Sequence, residues 1–174
     1  MKRFFVLSLA AVFALTLSVL AAPNTSVYSS LSGCKLVKTG QDWSVQACRG
    51  VGGYNLQLEY DDSRESITVY GPDRQKHALE LWQVVSSGFS SVGKKAEWRM
   101  ATRNGKLVPV ALIVRFDASE NPADSSKVTS YLVVAKITPE KICVVDKIAP
   151  SATANEEARR SADASADKPC YQSQ

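Results

Sequence analysis

Tyr54, Leu56, Leu58 and Tyr60 alternate with Asn55, Gln57 and Glu59, and this period of two predicts a half-buried strand. Asp61-Asp62-Ser63 supplies turn chemistry. A second strand then runs from Arg64 to Tyr70 and is closed by Gly71-Pro72-Asp73. Farther along, Asn104-Gly105 stands between extended stretches and accepts the positive φ angles of a two-residue type I′ hairpin turn. Counting outward from it pairs Arg103 with Lys106, Met100 with Pro109, Trp98 with Ala111 and Ala96 with Ile113. The second strand of that hairpin is apolar on both faces, which predicts a central place in a sheet. Pro109 conflicts with this because it cannot donate to a ladder, so a bulge or local edge is expected there.

Residues 77–85 fit two templates. Leu79 and Leu81 alternate as in a strand, while Ala78, Trp82, Val85 and Phe89 keep helical spacing. The serines and Gly88 around Phe89 read as loop, as do residues 118–127. Tyr131–Ala135 and Ile142–Ile148 are apolar strand segments. From Ala154 to about Ala166 the pattern becomes helical: Thr153-x-x-Glu156 fits a capping box, Glu156 and Arg160 form an i,i+4 pair, and Ala154, Ala158, Ala162 and Ala166 make a small-residue stripe. The fold class expected is α+β, an antiparallel sheet of six to eight strands with one C-terminal helix docked on it.

The start of the chain changes the picture of destination. Lys2 and Arg3 precede an apolar run from Phe4 to Leu20, then Ala21, Ala22 and Pro23. This is the layout of a secretory signal, which predicts a signal peptide over 1–21 and one domain over 22–174. The same run could be read as an uncleaved anchor, but Ser8, Thr16 and Ser18 weaken that reading. Cleavage removes Lys2 and Arg3, so the formal charge falls from +4 to +2. Net charge then gives no reason to expect nucleic acid as a partner, and no stable membrane insertion is expected after cleavage.

Four cysteines suit an oxidising compartment. Cys34 and Cys48 each lie seven residues from Gln41, the centre of a hairpin with turn chemistry at Thr39-Gly40-Gln41-Asp42. They can therefore face each other across paired strands, where Cα separations of about 4.5–5.5 Å suit a disulfide. Cys143 then pairs with Cys170, because a helix returning beside the preceding strand brings the chain back to its start. Leu31-Ser32-Gly33-Cys34 also resembles a lipobox. In that motif the cysteine adjoins the hydrophobic run, whereas a polar stretch intervenes here, and lipidation would leave an unpaired thiol.

No catalytic set is legible. His77 is the only histidine, so a multi-histidine metal site is excluded, and no metal or other cofactor is implied. Gly50-Val51-Gly52-Gly53 lacks the spacing and lysine of a phosphate loop and reads as a freely turning connection. The carboxylates Glu59, Asp61, Asp62, Glu65 and Glu97 show no convergence in sequence, and Asn24-Thr25-Ser26 is a short glycosylation pattern. Arg99 lies beside Glu97 on one strand face, which suggests a fixed ion pair. Arg99 with Arg64 and Arg115 is the alternative, a receptor for an anionic ligand.

Cys34, Cys48-x-Gly50-x-Gly52-Gly53-Tyr54, Asp62-x-Arg64-x-Ser66, Glu97-Trp98-Arg99, Pro109-x-Ala111 and Ala154-Asn155-x-x-Ala158-Arg159 together resemble a group of small exported proteins of proteobacteria without known activity. The resemblance implies a periplasmic or secreted setting and carries over no functional residue. The reading expected is a non-enzymatic binding module of the cell envelope, an inhibitor or adaptor, whose partner is an envelope or extracellular protein or a small anionic ligand. A small hydrolase using carboxylates or His77, and a structural envelope component, are the alternatives.

Overall fold

Two antiparallel meanders make up most of the computed structural model, which describes residues 24–121 and 123–172. The predicted signal segment and its cleavage point lie outside those residues. The first meander is continuous: β2 (Lys35–Thr39), β3 (Trp43–Arg49), β4 (Asn55–Asp61), β5 (Arg64–Tyr70) and β6 (Lys76–Ala78), each pairing with the next. The second runs β7 (Phe89–Arg103), β8 (Lys106–Ser119), β9 (Val128–Ile137) and β10 (Ile142–Ile148), with the N-terminal strand β1 (Thr25–Ser30) added beside β7. A short helix α1 (Leu81–Val84) links the two sheets, and α2 (Ala154–Asp163) follows β10.

The described residues thus form ten strands in two five-stranded sheets, not six to eight in one. Leu56, Leu58, Ile67 and Val69 of the first sheet share one buried cluster with Ala96, Trp98, Leu112, Phe116 and Val133 of the second. The opposite face of the second sheet is also buried. Ala111, Ile113, Leu132 and Val134 pack there against Ala154, Ala158 and Ala162 of α2. The order is sheet, sheet, helix, and the middle layer is dry on both sides where α2 covers it. This explains why β8 and β9 read as almost continuous apolar runs. Three alanines on the helix face allow a close approach to the sheet.

The Asn104-Gly105 turn forms, with φ of 51° and 72°, and Arg103 faces Lys106 and Met100 faces Pro109 as counted. A bulge at Val110, next to Pro109, then shifts the register by one. Trp98 faces Leu112 rather than Ala111, and Ala96 faces Val114 rather than Ile113. The extra residue absorbs the proline, as such irregularities do. A second irregularity, at Gly93–Lys95 opposite Arg115, lies in a stretch where β7 extends back to Phe89 through residues read as loop. β8 likewise continues to Ser119, past the expected start of the loop at Ala118. Residues 77–85 divide between the two templates, as the end of β6 and as α1.

Both disulfides form, with Cα separations of 4.8 Å for Cys34–Cys48 and 5.7 Å for Cys143–Cys170. Cys34 is therefore half of a bridge rather than a free thiol. The second bridge also brings the backbone N–H of Tyr171 to the Val144 carbonyl at 2.7 Å. The capping box does not form: the Thr153 hydroxyl donates to the Glu157 carboxylate instead. Glu156 and Arg160 do not reach ion-pair distance. The helix ends at Asp163, so Ala166 falls outside it and is exposed while Ser165 is buried. Among the described residues, no helix is long and apolar enough to cross a membrane.

Candidate functional site

Where α2 lies across the second sheet, it covers only part of that face. At its N-terminal half a groove of about 520 Å³ opens between helix and strands. Alternation assigns its floor: Glu97 and Lys95 on β7, Ile113 and Arg115 on β8, and Leu132 on β9 all point toward the helix side. Tyr28 from the edge strand β1 and Asn155 and Arg159 from α2 form the rim.

Arg115 is exposed and pairs with no carboxylate within ion-pair distance among the described residues. Its Nη1 donates to Ser130 Oγ at 2.6 Å, and that hydroxyl in turn donates to Asp117. Its stem lies across Gly93, where a Cβ would stand 2.8 Å from Arg115 Cβ. The irregular stretch of β7 therefore gives the arginine a track that a larger residue would block. Arg159 is anchored beside it: Nε donates to Glu97 at 2.7 Å, and Nη2 reaches Glu97 and Tyr28 Oη. Burial pushes the Glu97 carboxyl up, but hydrogen bonds from Arg159 and Ser26 outweigh this and hold it below the usual glutamate value. The same hydrogen bond holds the Arg159 guanidinium more firmly protonated.

The three arginines singled out from sequence do not line one cleft. Arg64 is a surface residue paired with Asp62 at 3.3 Å, near the far end of β5. Arg99 is 7% exposed and is enclosed by its own partners. Nε and Nη2 reach the two Asp163 oxygens at 2.8 Å each, Nη1 reaches Ser26 Oγ at 2.5 Å, and Nη2 also reaches the Asn24 carbonyl at 2.9 Å. The suggested Arg99–Glu97 pair exists at 3.8 Å, but Asp163 is the main counter-ion. Asn24 Nδ2 donates to the same carboxylate at 3.0 Å. This knot fastens β1, β7 and α2 together. Of the three, Arg115 is the one without a carboxylate partner among the described residues.

The residues of the hydrolase reading are also dispersed. His77 lies at the end of the sandwich where β5 finishes and Asp62 at the end where β5 begins, while Glu97 faces α2. A hollow of about 660 Å³ near Asp62 contains Glu120, yet its carboxylates are occupied. Asp62 binds Arg64, and Glu120 accepts from Tyr131 Oη at 2.5 Å and Lys147 at 3.4 Å. Sequence reasoning missed Lys95, Asn155 and Arg159 as groove residues, since nothing local signals that a helix from the far end of the chain will face β7. Comparison with known families, characterised proteins and solved structures finds no match to this chain.

Proposed function

We propose that the mature chain is an exported, non-enzymatic binding module that receives an acidic segment of a partner protein in the groove between α2 and the second sheet. The observation that carries this reading is Arg115: an exposed guanidinium without a carboxylate partner, held by Ser130 and seated over Gly93. Lys95 and Arg159 line the same groove, and Nη1 of Arg159 is not used in its bonds to Glu97 and Tyr28. A preorganised guanidinium loses little freedom when it takes a carboxylate through paired hydrogen bonds. The two disulfides suit an oxidising exterior, and the charged N-terminal run supplies the address.

The test is a titration of the folded protein with a hexaglutamate peptide, followed by amide chemical shifts. Resonances of Lys95, Arg115, Asn155 and Arg159 are expected to move together. Affinity should fall with added salt, because exposed charges are screened within about 8–10 Å. Arg115→Glu should weaken binding at least about tenfold, equivalent to about 1.4 kcal/mol, with fold unchanged. Binding that is insensitive to Arg115→Glu, or shifts mapping away from the groove, would overturn the reading.

A further inference from the structure

At the end of the sandwich opposite Asp62, four loops close around a cleft of about 460 Å³ that shares no lining residue with the groove. Its walls are apolar: Pro72, Val108, Pro109, Ile137, Pro139 and Ile142. The polar side chains on it are Tyr54, Asp73, His77, Arg103 and Thr138, the last with its hydroxyl engaged by the Lys141 backbone. Apolar walls with a few convergent polar groups, at this size, are the usual composition of a small-molecule site.

The glycine-rich loop after Cys48 builds this cleft. Gly52 and Gly53 both take positive φ, 63° and 87°, and a Cβ on Gly52 would stand 2.7 Å from Pro109 Cδ. The loop can therefore back directly onto the proline wall. It then closes with the Tyr54 N–H on the Val51 carbonyl at 3.1 Å. The Tyr54 ring rests against Trp98 with centroids 6.0 Å apart, which fixes the direction of its hydroxyl. Burial pushes the Tyr54 phenol above its ordinary pKa; the Asp73 charge adds to this and Arg103 opposes it. The hydroxyl is thus a protonated donor at neutral pH.

The cleft offers mainly donors. The Tyr54 hydroxyl, the His77 ring and the Arg103 guanidinium have no hydrogen-bond partner among the described residues. Asp73 is different, because its Oδ1 is taken by the Gln75 N–H at 3.0 Å, which closes its own turn. We propose that this cleft binds a small amphiphilic anion, with an apolar ring against the prolines and isoleucines and a carboxylate held by Arg103, Tyr54 and His77.

Benzoate is the probe and benzamide its neutral counterpart, each followed by NMR on the isotopically labelled protein. Benzoate should shift Tyr54, His77 and the Ile137 and Ile142 methyls, and benzamide should bind at least about tenfold more weakly because it lacks the charge-assisted hydrogen bonds. Arg103→Gln, an exposed change beside the turn, should bring benzoate down to the benzamide level while the Asn104-Gly105 hairpin shifts stay in place. Arg115→Gln should leave benzoate binding intact. Equal binding of the two probes, benzoate binding that Arg103→Gln does not weaken, or its loss in Arg115→Gln would each overturn the proposal. The last outcome would assign the anion to the groove instead.

Discussion

Substituting Asp163→Ala removes both oxygens that meet Arg99 at 2.8 Å and leaves a guanidinium that is 7% exposed. Breaking a buried pair from one side costs about 3–5 kcal/mol, chiefly the desolvation of the surviving charge. Two features reduce that figure here. The Asp163 side chain is itself 36% exposed, so water can enter where it stood, and Ser26, the Asn24 carbonyl and Glu97 remain around Arg99. A loss of about 2 kcal/mol is expected, which for a chain of this size lowers Tm by about 4–8 °C. Thermal and urea unfolding followed by circular dichroism would measure it. In an Arg99→Met background no charge is stranded, so the same Asp163→Ala change should cost less than about 0.5 kcal/mol, the difference being the coupling energy. An equal loss in both backgrounds would refute the buried-charge reasoning. The effect also has a pH signature. Burial raises the Asp163 carboxyl, but hydrogen bonds from Arg99 and Asn24 and the Arg99 charge hold it below the ordinary aspartate value. A carboxyl depressed in the folded state stabilises above its unfolded pKa of about 3.9, and that stability is lost as pH falls through the folded value. The gap between wild type and Asp163→Ala should therefore close in acid.

Glu65 carries the opposite sign. Burial raises its carboxyl despite the Val92 N–H that donates to it at 2.6 Å, so the folded state loses stability as pH rises through the window between its unfolded and folded values. Glu65→Gln keeps an acceptor for Val92, and it should be more stable than wild type at pH 7 with the advantage vanishing below about pH 4; equal pH profiles in urea unfolding would contradict this. Gly93→Ala should push the Arg115 stem off its track and weaken hexaglutamate binding several-fold, read by titration, while Tm falls by only a few degrees; unchanged affinity would show that the track does not matter. Replacing Cys34 and Cys48 by serine opens a 14-residue closure and should cost about 3 kcal/mol, and the Cys143/Cys170 pair, separated by 27, about 3.5 kcal/mol. The second replacement should also raise hydrogen exchange at Tyr171, whose N–H is held against Val144.

Local chemistry made several elements readable. Asn104-Gly105 announced its turn, Pro109 announced the bulge, and symmetry about Gln41 paired Cys34 with Cys48. The second sheet was harder to foresee, because alternation says that a strand has a buried face but not which sheet covers it. β1 is the clearest case. Its sequence, Thr-Ser-Val-Tyr-Ser-Ser, is mostly polar and small, yet it pairs with β7 because Ser26 and Ser29 bond to Arg99 and Trp98 across the ladder. The irregular start of β7 was hidden for a similar reason: its serines and Gly93 resemble a loop, and their extended form depends on β8. Of the candidate arginines, the register counted from the turn put Arg115 on the Trp98 face, away from Arg99; the bulge at Val110 brings the two to one face, and the position of α2 decides that one is enclosed and the other open.

The path of the chain through the two sheets sets an order of assembly. Residues 34–78 form a meander of neighbours with its own disulfide, so that stretch can take shape without the rest of the chain. β1 precedes that meander but must wait for β7, about seventy residues later. Pairings so distant in sequence form slowly, because the loop between them must close first. Until then the first strand is an unpaired ribbon beside a half-made molecule. The groove is finished last of all, since α2 follows all the strands and is then fastened by Asp163 to Arg99 and by Arg159 to Glu97. A chain cut short before Ala154 would keep the sandwich strands but have no helix across them, and the Arg115 face would be left as a bare sheet.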